Sequence, residues 1–116
     1  MTTIPADRVL EAEDLILVEF GPVLGTEQDG RRPALVISEA LMNVATRRVI
    51  VCPITRNIEP WPTKVMLPPG FGVTGAVLTD QVRSIDPRAR ILRRLGAAPA
   101  AVLAEARHQI AKRIGL

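Results

Sequence analysis

The sequence predicts a mainly β fold, a small barrel carrying one C-terminal α-helix, and three observations predict it. The apolar runs are short and separated by turn signals at Gly21-Pro22, Asp29-Gly30, Glu59-Pro60-Trp61-Pro62 and Pro68-Pro69-Gly70. Only the last segment shows helical spacing, with Leu103, Ala106, Ile110 and Ile114 recurring at three- and four-residue steps. A chain of 116 residues buries roughly two thirds of its unfolded surface, enough for one modest core. A single domain spanning 1–116 is therefore expected, with residues 1–12 a flexible arm.

In chain order, strands are expected near Asp14 to Phe20, Arg32 to Ser38, Arg48 to Ile54, Lys64 to Leu67, Gly75 to Thr79 and Ala89 to Leu95, where apolar and β-branched residues gather. Ser38 to Ala45 fits a short helical turn capped by Ser38. The final helix has Pro99 suited to its first turn and Gly115 to its end. Glu105, His108 and Lys112 fall on its polar face, so the only histidine is expected in solvent. Cys52, the only cysteine, excludes an internal disulfide and a thiolate metal cluster; within Val49-Ile50-Val51-Cys52 it is expected to pack as a small hydrophobe. Residues 1–12 hold no apolar core of signal-peptide length, and no run approaches the ~20 apolar residues that cross a bilayer. A soluble, cytoplasmic protein without a membrane partner is the expectation.

Charge says more by kind than by amount. The net charge is +3, from 15 Lys plus Arg against 12 Asp plus Glu, and only Lys64 and Lys112 are lysines. The remaining 13 cations are arginine, whose planar fork grips phosphate through two hydrogen bonds. The stretch Gly25-Thr26-Glu27-Gln28-Asp29-Gly30-Arg31-Arg32-Pro33 sets a carboxylate and two guanidinium groups around a turn that runs into a buried strand. Cleaving RNA without a metal requires a proton acceptor for the ribose 2′-hydroxyl and cations on the developing charge. With one histidine, the usual pair is missing; Glu27 is the nearest acceptor and Arg32 the stabilising cation. Thr55, after Cys52-Pro53-Ile54, is placed to donate its hydroxyl to the phosphate, or else to satisfy a turn backbone. Trp61, between two prolines, is expected either to stack on an unpaired base or to form a lid on the barrel. Gln81 and Arg83 follow an apolar strand and suit base edges or phosphates. The carboxylates show no metal-ligand spacing and no nucleotide-cofactor fingerprint occurs, so no metal or cofactor is expected.

Three segments in order, Gly25-Thr26-Glu27-Gln28 with Arg32-Pro33-Ala34-Leu35-Val36, then Val51-Cys52-Pro53-Ile54-Thr55, then Leu78-Thr79-Asp80-Gln81-Val82-Arg83-Ser84-Ile85, closely resemble the MazF/PemK family of toxin endoribonucleases. The resemblance implies an SH3-like barrel of the CcdB/MazF/PemK type that forms a homodimer and cuts single-stranded RNA at short sequences without a metal. It also implies 2′,3′-cyclic phosphate and 5′-hydroxyl products, and silencing by a MazE-like antitoxin. Carried over, Glu27, Arg32 and Thr55 are the catalytic set. Gln28 and Arg31 lie in the loop that shapes the RNA channel, and Asp80, Gln81 and Arg83 lie beside the dimer groove. Arg31 stands where some members carry histidine, and Trp61 where another aromatic is common. The alternative is a CcdB-like toxin that binds and poisons DNA gyrase without catalysis, for which only the C-terminal Arg113-Ile114-Gly115-Leu116 speaks.

Overall fold

The computed structural model describes residues 9–21 and 30–116. Seven strands form an antiparallel sheet: β1 (Asp14–Glu19), β2 (Arg31–Val36), β3 (Val49–Thr55), β4 (Lys64–Met66), β5 (Ala76–Leu78), β6 (Arg83–Ile85) and β7 (Ile91–Ala97). Three helices join them: α1 (Ala40–Thr46), α2 (Pro87–Arg90) and α3 (Ala100–Arg113). The order across the sheet is β4-β5-β3-β2-β1-β7, with β6 paired to β3 off that path. The expectation of a mainly β chain with a C-terminal helix holds, in an open sheet compatible with a barrel.

β3 is the pivot. Its first half pairs β6 (Val49 with Ile85, Val51 with Arg83) and its second half pairs β5 (Ile54 with Val77, Thr55 with Ala76) along the same edge. One strand thus passes from one part of the sheet to the other, the corner that curls a sheet towards closure. On its other edge, β3 pairs β2 from Val36 with Val51 to Ala34 with Pro53. Beyond that point the ladder lacks donors, because neither Pro33 nor Pro53 has an N–H.

The central strands are buried on both faces, which is why β2 and β3 read as continuous apolar runs and not as alternation. Leu15, Leu35, Cys52 and Ile54 pack with Val65, Val77, Val102 and Ala106 beneath α3. Ile16, Val18, Phe20, Ala34, Val36, Val49, Val51 and Ile85 form a second cluster on the opposite face. Arg107 ties α3 down, donating from its guanidinium to the Ile37 carbonyl at 2.7 Å and to Glu39 Oε1 at 2.7 Å.

Several local expectations are corrected. β6 and α2 were not foreseen; α2 is capped by the Asp86 carboxylate, which accepts from Arg88 N at 3.0 Å, with Pro87 at its first position. The strand expected from Ala89 to Leu95 lies instead at Ile91–Ala97, and shifts in its register against β1 show that it bulges twice. Ser38 does not cap α1, whose N-cap is Glu39 without a side-chain bond. Its hydroxyl accepts from Ile50 N at 2.9 Å and is bonded to Asn43 Oδ1, while Asn43 Nδ2 donates to the Leu10 carbonyl at 2.8 Å. Buried Leu10 thus pins the inner end of the segment expected to be an arm. In α3, Val102, Leu103 and Ala106 are buried, but Ile114 is exposed, since the helix ends at Arg113. Gly115, at φ +86, closes it: its N–H reaches Lys112 O and that of Leu116 reaches Ala111 O at 2.8 Å. His108 is in solvent, as expected.

Cys52 is wholly buried, and its thiol is pushed up to about 12 by burial, with the Asp80 carboxylate adding to the effect. The unfolded chain therefore loses this proton first as pH rises, and the native state loses stability from about pH 9 upward by roughly 1.4 kcal/mol per pH unit. Denaturant titrations between pH 8 and 11 should show this fall in the wild type and a flatter profile in Cys52→Ala. Equal slopes in the two proteins would contradict the assignment.

Candidate active site

The hairpin β1–β2 is bracketed by Gly21 and Gly30: Gly30 N donates to Gly21 O at 2.9 Å and Phe20 N to Gly30 O at 2.9 Å. The segment between them carries Glu27 and Gln28, two residues that lie outside the described residues. From Gly30 the chain enters β2 at once, so Arg31 and Arg32 stand on a paired strand, with Glu19 opposite Arg31 and Val18 opposite Arg32.

Strand alternation separates the two arginines. Arg32 shares its face with Ala34 and Val36, and Arg31 shares the other with Pro33 and Leu35. On β3, Thr55 has the parity of Val49 and Val51, and Ile54 that of Cys52. The β2–β3 ladder ends at Ala34 with Pro53, leaving Arg32 just beyond it on one strand and Thr55 just beyond it on the other. Two residues called from distant motifs thus stand at the same open end of one strand pair, with the parity of one face.

Thr55 is 8% exposed, and its Oγ1 accepts from Asn57 N at 3.1 Å. The turn-satisfying role is therefore present, and it fixes the hydroxyl oxygen while leaving the O–H proton for another acceptor. Arg83 joins the same face: its guanidinium lies 5.0 Å from the centre of the Phe20 ring. Phe20 is 3% exposed, so that contact is partly desolvated and holds the guanidinium in place. Between β5 and β6 the chain crosses the edge of β3 near Cys52 and Pro53, bringing exposed Asp80 and half-buried Gln81 alongside. Arg31 leans outward, its Nε 3.4 Å from Glu19 Oε2 in an exposed pair worth about 0 to 1 kcal/mol.

Trp61 is 64% exposed, so it is not a lid. Lys64 Nζ clips its loop by donating to the carbonyls of Asn57 at 2.8 Å and Glu59 at 2.9 Å, and an Arg113 guanidinium nitrogen donates to Pro62 O at 2.9 Å. A held backbone offers the indole face to solvent with little entropy left to lose on stacking.

Where the β2–β3 ladder stops, a cleft of about 250 Å³ opens, lined by Arg31, Arg32, Pro33, Ile54, Arg56 and the segment Gly72 to Thr74, with Leu95 behind. Arg56 escaped the sequence reading; its only signal is its place next to Thr55. Among the described residues, no three His, Cys, Asp or Glu side chains gather as metal ligands, and no helix is long and apolar enough to cross a membrane.

Comparison with known proteins converges on one family. Residues 11–114 match the model of the PemK-like, MazF-like toxins of type II toxin–antitoxin systems. The endoribonuclease toxin MazF of Escherichia coli K12 is 43% identical over 77 residues, covering 66% of this chain and 68% of that protein. The endoribonuclease toxin ChpB of the same organism is 37% identical over 108 residues, covering 83% of this chain and 86% of its own. MazF from Deinococcus radiodurans superposes with a TM-score of 0.88 at 44% identity, covering 95% of this chain and all of that one. A MazE–MazF complex from the same organism matches with a TM-score of 0.83 at 44% identity, covering 95% of this chain and 99% of that chain. With a family match over nearly its whole length and relatives this similar, the chain belongs to the PemK-like, MazF-like toxin family.

Proposed function

We propose that this protein is a cytoplasmic endoribonuclease toxin that cuts single-stranded RNA at a short sequence without a metal. Attack by the ribose 2′-hydroxyl on its own phosphate leaves 2′,3′-cyclic phosphate and 5′-hydroxyl ends. What supports the reading most is that Arg32 and Thr55 stand at the same open end of the β2–β3 pair, in a family whose relatives are named endoribonucleases. The gyrase-binding alternative has no support among them.

In this reading, Glu27 accepts the 2′-hydroxyl proton, as its place in the family motif implies. Arg32 balances the charge that grows on the phosphorane oxygens; its high pKa makes it a poor acid, so its contribution is electrostatic. Thr55 donates its hydroxyl to a nonbridging oxygen. Arg83 and Arg31 hold flanking phosphates, Trp61 stacks on an unpaired base for about 1 to 3 kcal/mol, and Gln28, Asp80 and Gln81 serve base edges. The working form is a homodimer, and a MazE-like antitoxin lies across the channel and shuts it; support for the partner is that a Deinococcus radiodurans relative was solved as a MazE–MazF complex.

The test is direct. Purified protein is incubated in chelator with a set of single-stranded RNA oligonucleotides and their 2′-deoxy counterparts. RNA should be cut at a recurring short motif, with 5′ ends that a polynucleotide kinase labels without prior phosphatase, and deoxy strands should stay whole. Uncut RNA, or 3′-hydroxyl and 5′-phosphate ends, would reject the proposal.

A further inference from the structure

The open end of the β2–β3 pair that holds Arg32 and Thr55 also holds Arg31 and Arg56. Both of these arginines line the cleft, with Pro33 and Ile54. Like charges gathered in one cleft repel, and folding gains nothing from placing them there. Of the described residues that line the cleft, Arg31, Arg32 and Arg56 are the charged ones, and all three are cations. Arg31 has Glu19 on its outer side, whereas Arg56 pairs with no carboxylate among the described residues. Ile54, Val73 and Leu95 add apolar surface to the lining, and Thr74 adds a hydroxyl.

The geometry points to this cleft as a second phosphate subsite, with Arg56 and Arg31 as a two-armed clamp for a phosphodiester flanking the scissile one. It rests on the proposed RNA-cleaving function for its substrate class. Arg32 lines the same cleft, so the clamp adjoins the proposed catalytic cation, with Arg56 holding the strand one linkage from the scissile phosphate. The two prolines that end the ladder are what allow the strand ends to part and admit the phosphate.

Arg56→Gln should raise KM for RNA about tenfold, the loss expected for one charged hydrogen-bonding contact, with kcat within twofold of wild type. The salt dependence of binding a 2′-deoxy single strand, which is not cut, should flatten by about 0.7 in the log–log slope, one phosphate's share. Arg56→Lys should keep the slope but recover only part of the affinity, because a point charge replaces a fork. Replacing single linkages by neutral methylphosphonates should find one whose loss weakens wild type but not Arg56→Gln, which assigns the anion to the nucleic acid backbone. If inorganic phosphate instead protects the wild type against heating and not the variant, while no linkage shows coupling, the subsite takes free phosphate and the backbone clamp is wrong. Unchanged KM and slope in a folded Arg56→Gln would overturn the proposal altogether. Wild type that binds the deoxy strand through Arg56 yet cuts no RNA would instead remove the nuclease reading and leave the subsite standing.

Discussion

Arg32→Ala is expected to cleave RNA roughly 100 to 1,000 times more slowly than wild type under single-turnover, saturating conditions, the usual loss when one preorganised charge or donor is removed from a developing oxyanion. The effect should fall on kcat more than on KM, since the guanidinium acts on charge that appears only in the transition state. That split is the reverse of the one expected for Arg56, which holds a phosphate whose charge does not change. The fold should survive, because Arg32 stands at the open end of β2, past the last described β2–β3 pair at Ala34 and Pro53. Circular dichroism and a denaturant midpoint near wild type would establish this. A folded Arg32→Ala with an unaltered rate would move the catalytic cation elsewhere, and Arg31 would be examined next.

Gly75→Ala is expected to destabilise the native state by at least about 3 kcal/mol, a large part of the 5 to 15 kcal/mol that holds a domain of this size together. Two effects add there. The backbone has φ +133, where an L side chain is strained, and the new methyl would lie 2.3 Å from the Thr55 carbonyl oxygen and 3.1 Å from Ile54 Cγ2. That oxygen cannot move aside, because β3 is held on both edges, by β5 at Ile54 and Thr55 and by β2 further along. Gly70→Ala is the control: its φ of +97 is also strained, but nothing lies within 4 Å of the added atom, so about 1 to 2 kcal/mol is expected. Urea midpoints of the two variants should separate clearly. Equal losses would mean that backbone strain alone accounts for Gly75 and that the Thr55 end of β3 yields easily.

The chemical half of the candidate site was legible from residue types. Arg32 before a proline-led apolar run and Thr55 at the end of another announce a cation and a hydroxyl at strand ends, and the three-motif resemblance joined them to one reaction. Exposed His108 and buried Cys52 followed from periodicity. β6 was missed because Arg83-Ser84-Ile85 is too short to show alternation; it exists only because β3 offers it an edge. α2 was missed although Asp86-Pro87 is a sound start signal, since four residues carry no helical period.

By itself the sequence determined the β character, the C-terminal helix, and the supply of arginine with one carboxylate-bearing turn, because these are local properties of composition, spacing and turn chemistry. Only the tertiary structure decided which arginine faces which neighbour. Side-chain face depends on parity within a strand, and parity between strands depends on register, a long-range quantity that no single segment contains. The β2–β3 register ends both strands at one place and so gathers Arg31, Arg32, Thr55 and Arg56 there, where the proposed catalytic pair and the proposed clamp adjoin.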